Sequence, residues 1–354
     1  MKLPFDLSLK LVFRVLLPGF ILAAAFVPLL RILLTKLNLS AQLQIGYIVL
    51  ALLLGWLVIV MDMHIYMLYE GRRYWRRTFF WDWLLKREKA RLKRVSMDAN
   101  EGPTLHIQRE ASVELRRFPI DENGEFVAEY PTRLGNLLTS FEGYSKRIYG
   151  MDSIFYWPRL WLTLDKDLRE EIDGLQAMAD STVYASLSFY VMGLAGLVYA
   201  LLKFLNVSAV EFLPEPPFLL GLAFAALLLG YLTYRISLHL HDQFGEMFKS
   251  VFDVYHDKVL FPQVLAEVGR LTGDSQVDQL PKKMQYRKIW RYLHNYRVKL
   301  TEEGKSYTPN QLEQPPPVLR DQPQIARAVG FALLLIGIAI QLWKAFYPNA
   351  SKKK

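Results

Sequence analysis

Five long apolar runs, nearly free of charge, constrain this chain more than any other feature. In hydrocarbon a helix satisfies its own backbone polar groups, and about 20 predominantly apolar residues carry it across a bilayer. The runs are Leu11–Leu34, Leu37–Met61, Ser181–Leu202, Pro216–Tyr234 and Ala328–Trp343. Pro18, Gly19 and Pro28 interrupt the first, and Arg14 and Arg31 lie near its ends, where long side chains can reach the polar boundary. The sequence therefore predicts a predominantly α-helical integral membrane protein with about five transmembrane helices in a 2+2+1 arrangement. There is no Cys, which excludes disulfides, thiolate metal sites, Fe–S clusters and cysteine nucleophiles.

Basic residues set orientation, because they are retained on the cytoplasmic side during insertion. With the N-terminus inside, residues 1–14, 62–180 and 235–327 are cytoplasmic and hold 36 of the 43 Lys and Arg. The expected division is a first transmembrane hairpin (1–61), a cytoplasmic module (62–180), a second hairpin (181–236), a cytoplasmic helical segment (237–327), a fifth transmembrane helix (328–347) and a basic tail (348–354). This sends Lys352, Lys353 and Lys354 outside, a conflict that a re-entrant or interfacial fifth helix would remove. A cleaved signal peptide ending near Ala23-Ala24-Ala25 is the competing reading of the N-terminus, and Asp6 with the apolar continuation to Leu34 argues against it. Sequons at Asn38, Asn206 and Asn349 fall on the outer side but hug the membrane, which favours coincidence.

The net charge of +9 conceals two opposed blocks: residues 72–94 balance at +8 and residues 95–180 at −7. The basic block is rich in aromatics, with Arg72, Arg73, Trp75, Arg76, Arg77, Trp81 and Trp83 at its head and apolar Tyr74, Leu84, Leu85, Leu92 and Val95 mostly at helical spacing. Such a helix suits a membrane surface, its aromatics at headgroup level and its cations on anionic lipid. Enforcing topology while packing on the protein is the plainer alternative. Basic residues pinned beside a bilayer speak against nucleic acid.

Further on, Leu105-His106-Ile107, Val113-Glu114-Leu115 and Phe126-Val127-Ala128, with Asn123-Gly124 as a turn, predict a β-hairpin. Helical patterning returns at Leu134–Tyr144 and at Lys166–Asp180, so the module is expected to be α+β. Span four is expected to continue through His239 to Tyr255, and residues 282–300 form a second basic amphipathic helix that lies on lipid or docks on the acidic module. Pro315-Pro316-Pro317 then reads as a stiff spacer. A faint parallel repeat pairs Leu52–Leu57 and His64 with Leu227–Leu232 and His239.

Chemical signatures are sparse. Gly304-Lys305-Ser306 lacks the glycine a phosphate loop needs, since Lys299 occupies that place. No His-Glu-x-x-His or Gly-x-Ser-x-Gly occurs. His239, Asp242 and Glu246, with His241 near and Asp62 and His64 opposite, are weak candidates for a divalent cation or a proton relay; capping and helix packing are the plainer role. No cofactor is expected. The spans lack central carboxylates, which weakens an ion-coupled transporter. Their small residues, such as Gly193, Gly196, Gly221 and Ala225, permit close helix approach within or between chains.

Pro131-Thr132-Arg133-Leu134-Gly135-Asn136, Tyr149-Gly150-Met151-Asp152 and Trp157-Pro158-Arg159-Leu160 resemble a group of uncharacterised multi-pass bacterial membrane proteins, over about 30 residues. The resemblance implies a bacterial inner membrane and carries no activity, cofactor or catalytic residue. On physical grounds Arg133, Asp152 and Arg159 suit a buried ion pair ordering the module, with Trp157 as an interfacial anchor. Together with Asn136 and Tyr149 they alternatively mark a ligand or partner site. The function expected is non-enzymatic: a cytoplasmic module held at the membrane, with anionic lipid headgroups, a protein partner or a second copy of the chain as partners. An oligomeric pore is one alternative, and an enzyme or cation-binding protein using His239 to Glu246 is the other.

Overall fold

A computed structural model describes residues 12–72, 79–272 and 277–293. The expected fifth transmembrane helix, the proline spacer and the basic tail lie outside the described residues, as do Arg73, Trp75, Arg76 and Arg77. In chain order the α-helices are α1 (Leu17–Lys36, after a π-helical turn Val12–Leu16), α2 (Leu43–Val60), α3 (Asp62–Glu70) and α4 (Phe79–Glu101). Then come α5 (Leu105–Leu115), α6 (Arg133–Tyr149), α7 (Ser153–Thr163), α8 (Lys166–Phe204), α9 (Pro216–Tyr255), α10 (Pro262–Thr272) and α11 (Lys282–Arg291).

Among the described residues, four helical stretches are long and apolar enough to cross a membrane by length and composition: Val12–Lys36, Ser40–Val60, Lys166–Phe204 and Pro216–Val259. They coincide with the first four apolar runs. Large apolar side chains stand exposed along them, including Trp56, Leu194, Leu228 and Phe224, the arrangement expected of a bundle whose solvent is lipid. Close contacts fix the bundle's order. At Gly19 an added Cβ would fall 2.3 Å from the Ala51 carbonyl oxygen, and at Gly55 one would fall 2.3 Å from that of Val15, so α1 and α2 cross where neither has a side chain. The hydroxyl of Ser188 donates to the Pro18 carbonyl at 3.2 Å and that of Tyr199 to Ala25 at 2.8 Å, so α1 and α8 ascend together. Ser186 donates to the Gly230 carbonyl at 2.8 Å, pairing α8 with an antiparallel α9.

Helices α8 and α9 have 39 and 40 residues. At 1.5 Å per residue each is about 60 Å long, roughly twice the ~30 Å hydrocarbon thickness. Their polar halves, residues 166–180 and 235–255, continue unbroken beyond the apolar bundle, as the helical patterning predicts. On these halves α6 and α7 pack through a ring cluster. Trp157 lies 4.5 Å from Phe248 between centroids, Phe248 lies 5.1 Å from Phe252, and Phe141 lies 5.4 Å from Phe248. Helix α11 docks here through fully buried Tyr286, while its fully buried Ile289 packs with Leu265 and Val277 in a separate cluster. Tyr156 donates to the Tyr286 carbonyl at 2.7 Å, and Tyr286 donates to that of His256 at 2.9 Å. The basic residues of α11 flank this contact, with Lys282 on Asp257 at 2.7 Å.

The expected β-hairpin is not formed, and the module is helical among the described residues. Leu105–Leu115 is one helix, started by Thr104, whose hydroxyl accepts from the Ile107 amide. Its apolar residues serve helix faces rather than alternating strands. The Asn123-Gly124 turn does form, with Gly124 at φ +87°, but it closes only a single bridge between Ile120 and Phe126. The polar flanks give no second sheet partner to lengthen it.

Candidate functional site

Three polar clusters lie in and below the polar ends of the spans. The first joins four segments. Arg14 donates from Nη2 to Asp180 Oδ2 at 2.7 Å and lies 3.7 Å from Asp173. The Tyr66 hydroxyl contacts the other Asp180 oxygen, and it also lies 2.9 Å from His241 Nε2. His241 Nδ1 is 2.7 Å from the Ser237 carbonyl oxygen. Beside them Tyr184 donates to Asp62 at 2.5 Å. Asp180 is 7% exposed and His241 2%, so each depends on its partners rather than on water.

The second cluster fastens the module. Asn136 is completely buried and accepts from the amides of Glu129 (3.0 Å) and Tyr130 (2.9 Å) while donating to the carbonyls of Tyr130 and Thr132. It also reaches Glu88 at 3.4 Å. From there charges alternate: Glu88 with Arg91 at 2.9 Å, Arg91 with Glu114 at 2.9 Å, Glu114 with Arg117 at 2.7 Å, and Arg117 with Asp242 at 2.8 Å. Burial pushes the Glu88 carboxyl up against the pull of Arg91, and pushes the Arg91 guanidinium down against the pull of Glu88. Arg133 adds a positive charge near both.

The third cluster sits where α3 meets α6. An added Cβ at Gly135 would fall 2.2 Å from the Glu70 carbonyl oxygen, and Gly71 takes φ +71° so that the chain can turn away from Pro131. Arg72 Nε lies 2.6 Å from Glu70 and its Nη2 lies 3.0 Å from Glu142, with the guanidinium 4.9 Å above the Tyr130 ring. Burial, only partly offset by Arg72, raises the Glu70 carboxyl to about 7.

These positions redistribute the residues singled out from sequence. Arg72 is engaged with the protein itself, and Trp81 donates its indole N–H to the Gly71 carbonyl at 3.2 Å, whereas Trp83, Phe79 and Phe80 stand exposed. Among the described residues no arginine pairs with Asp152, which caps α7 by accepting from the Phe155 amide at 2.9 Å. Arg159 instead lies 3.6 Å above the Phe155 ring and donates to its carbonyl, and Trp157 is half-buried in the ring cluster. An i, i+4 aromatic neighbour and a vacant cap outcompete an ion pair that would bury two charges. Tyr149 stacks on His256 at 4.3 Å and, with Tyr144, donates to Asp253. His239 is exposed and lies 3.1 Å from Gln243, Asp242 serves Arg117, and Glu246 pairs with Lys249 at 2.7 Å. Among the described residues no group of three or more His, Asp and Glu is placed to hold a metal ion.

Sequence reasoning missed Asp180, Tyr66 and Tyr184 as members of one site. Its signal was available: Arg14 and Asp180 are opposite charges at the entrances of two spans that start from the same end. Comparison with family models, curated proteins and solved structures finds no match.

Proposed function

We propose that this is a polytopic bacterial inner-membrane protein of non-enzymatic type, with its N-terminus and long loops in the cytoplasm. It holds a helical module at the membrane for partner recruitment or self-association. The observation that carries this reading is the continuity of α8 and α9 from their apolar to their polar halves. Among the described residues α8 and α9 carry the module directly on the spans, and the Glu88 to Asp242 chain of charges fastens α4 and α5 to α9. Anionic headgroups are the lipid contact that suits Phe79, Phe80 and Trp83 beside Lys86, Arg87 and Lys89. A protein contact suits α7, whose Ile154 and Leu162 are 76% and 78% exposed, two helical turns apart, beyond the apolar bundle.

The test is to purify the chain in mild detergent, measure its mass and identify what copurifies, for the native sequence and for Ile154→Asp with Leu162→Asp. Loss of the partner or the oligomer in the double variant supports recruitment through α7. A monomer without a copurifying protein, or a double variant that behaves as the native chain does, refutes it. Conductance in liposomes would move the assignment to an oligomeric pore.

A further inference from the structure

The first polar cluster has a proton inventory that does not balance with its groups in their ordinary states. The Ser237 backbone carbonyl can only accept, so His241 Nδ1, 2.7 Å away, carries a hydrogen. A neutral imidazole then has a bare Nε2, which needs a donor. That atom faces the Tyr66 hydroxyl at 2.9 Å. The same hydroxyl touches Asp180, and an ionised carboxylate also needs a donor. Tyr66 has one hydrogen and cannot give it to both. With Asp180 ionised and His241 neutral, one of the two contacts would set bare lone pairs against each other in a buried site.

We infer that Asp180, Tyr66 and His241 form a buried proton-binding site that holds one proton more than an ionised aspartate and a neutral histidine would carry. The proton has two resting places. On Asp180, the carboxyl donates to the Tyr66 oxygen and Tyr66 donates to His241 Nε2. On His241, the imidazolium donates from Nε2 to the Tyr66 oxygen and Tyr66 donates to the Asp180 carboxylate. Passage between them moves the Asp180 proton onto the Tyr66 oxygen as the tyrosine's own proton passes to His241 Nε2, with no net change in charge.

Among the described residues, the charged and titratable groups around the chain are Arg14 from the π-helical turn, with Asp173 of α8 beside it, Tyr184 from α8 and Asp62 from α3. The site also joins the entrances of α1, α8 and α9 to α3, so its occupancy acts on segments distant in sequence. This goes beyond the recruiting role proposed above and does not depend on it.

The test uses the full chain in lipid nanodiscs, with 15N-labelled histidine read by NMR and 13C-carboxyl aspartate read by infrared spectroscopy. His241→Gln and Asp180→Asn assign the signals. Expected at neutral pH is either a doubly protonated His241 ring or a protonated carboxyl band from Asp180. A singly protonated His241 together with an ionised Asp180 overturns the proposal, and this measurement needs only the native protein. In Tyr66→Phe the additional proton should be lost, leaving His241 neutral and Asp180 ionised on Arg14; its persistence there would show that Tyr66 is not the bridge and would also overturn the proposal.

Discussion

Glu70 gives the most direct handle on the energetics of the module. It is 7% exposed, and burial lifts its carboxyl from an ordinary 4.5 to about 7 although Arg72 lies 2.6 Å away. Because the folded value lies above the unfolded one, protonated Glu70 contributes stability that is complete below pH 4.5 and is lost as pH rises through about 7. At 1.36 kcal/mol per pKa unit this displacement corresponds to about 3 kcal/mol, an upper bound on the stability lost. Glu70→Gln keeps the shape and removes the charge. Its unfolding midpoint, followed by tryptophan fluorescence in detergent, should match the native protein's near pH 5 and exceed it at pH 8, with a flatter profile between. Native and Gln proteins whose midpoints fall in parallel across that window would refute the reasoning. So would a native protein that gains stability toward pH 8, since that would mean the Arg72 pair outweighs burial.

Two further outcomes follow from close contacts. Gly135→Ala should destabilise the module by about 1–3 kcal/mol, because its Cβ would meet the Glu70 carbonyl oxygen at 2.2 Å and backbone cannot yield there; a midpoint unchanged within error would contradict the packing of α3 on α6. Asn136→Ala should cost about 1–3 kcal/mol for each buried amide it strands at Glu129 and Tyr130, and hydrogen exchange at those two amides should accelerate while the apolar spans stay protected.

The four described spans and the long helices of the polar side were legible because burial in lipid and 3.6-residue periodicity act along the chain itself. The π-helical start of the first span carried no such signature. Leu105–Leu115 misled because short apolar triplets separated by charge fit either period, and its capping threonine was the better guide. Arg159 and Asp152 misled for a different reason. Both had nearer solutions, a ring four residues back and a helix start one residue on, and local geometry wins over a pair that must be assembled by tertiary contact. Of the proton site only the pairing of Arg14 with Asp180 left a trace in the sequence, because Tyr66, Asp180 and His241 are brought together by the packing of three helices.

The unbroken length of α8 and α9 has a mechanical consequence. Two stiff rods clamped in a bilayer and projecting about 30 Å beyond it act as a lever arm. From Asp180 to Lys166 and from His241 to Tyr255 the arms measure about 21 Å, so a tilt of about 10° between them at that level would sweep their far ends by ~4 Å, enough to open or close a side-chain contact. A change of charge at the fulcrum that altered this tilt would be felt at α7, which packs on the projecting half of α9 through Trp157 and Phe248.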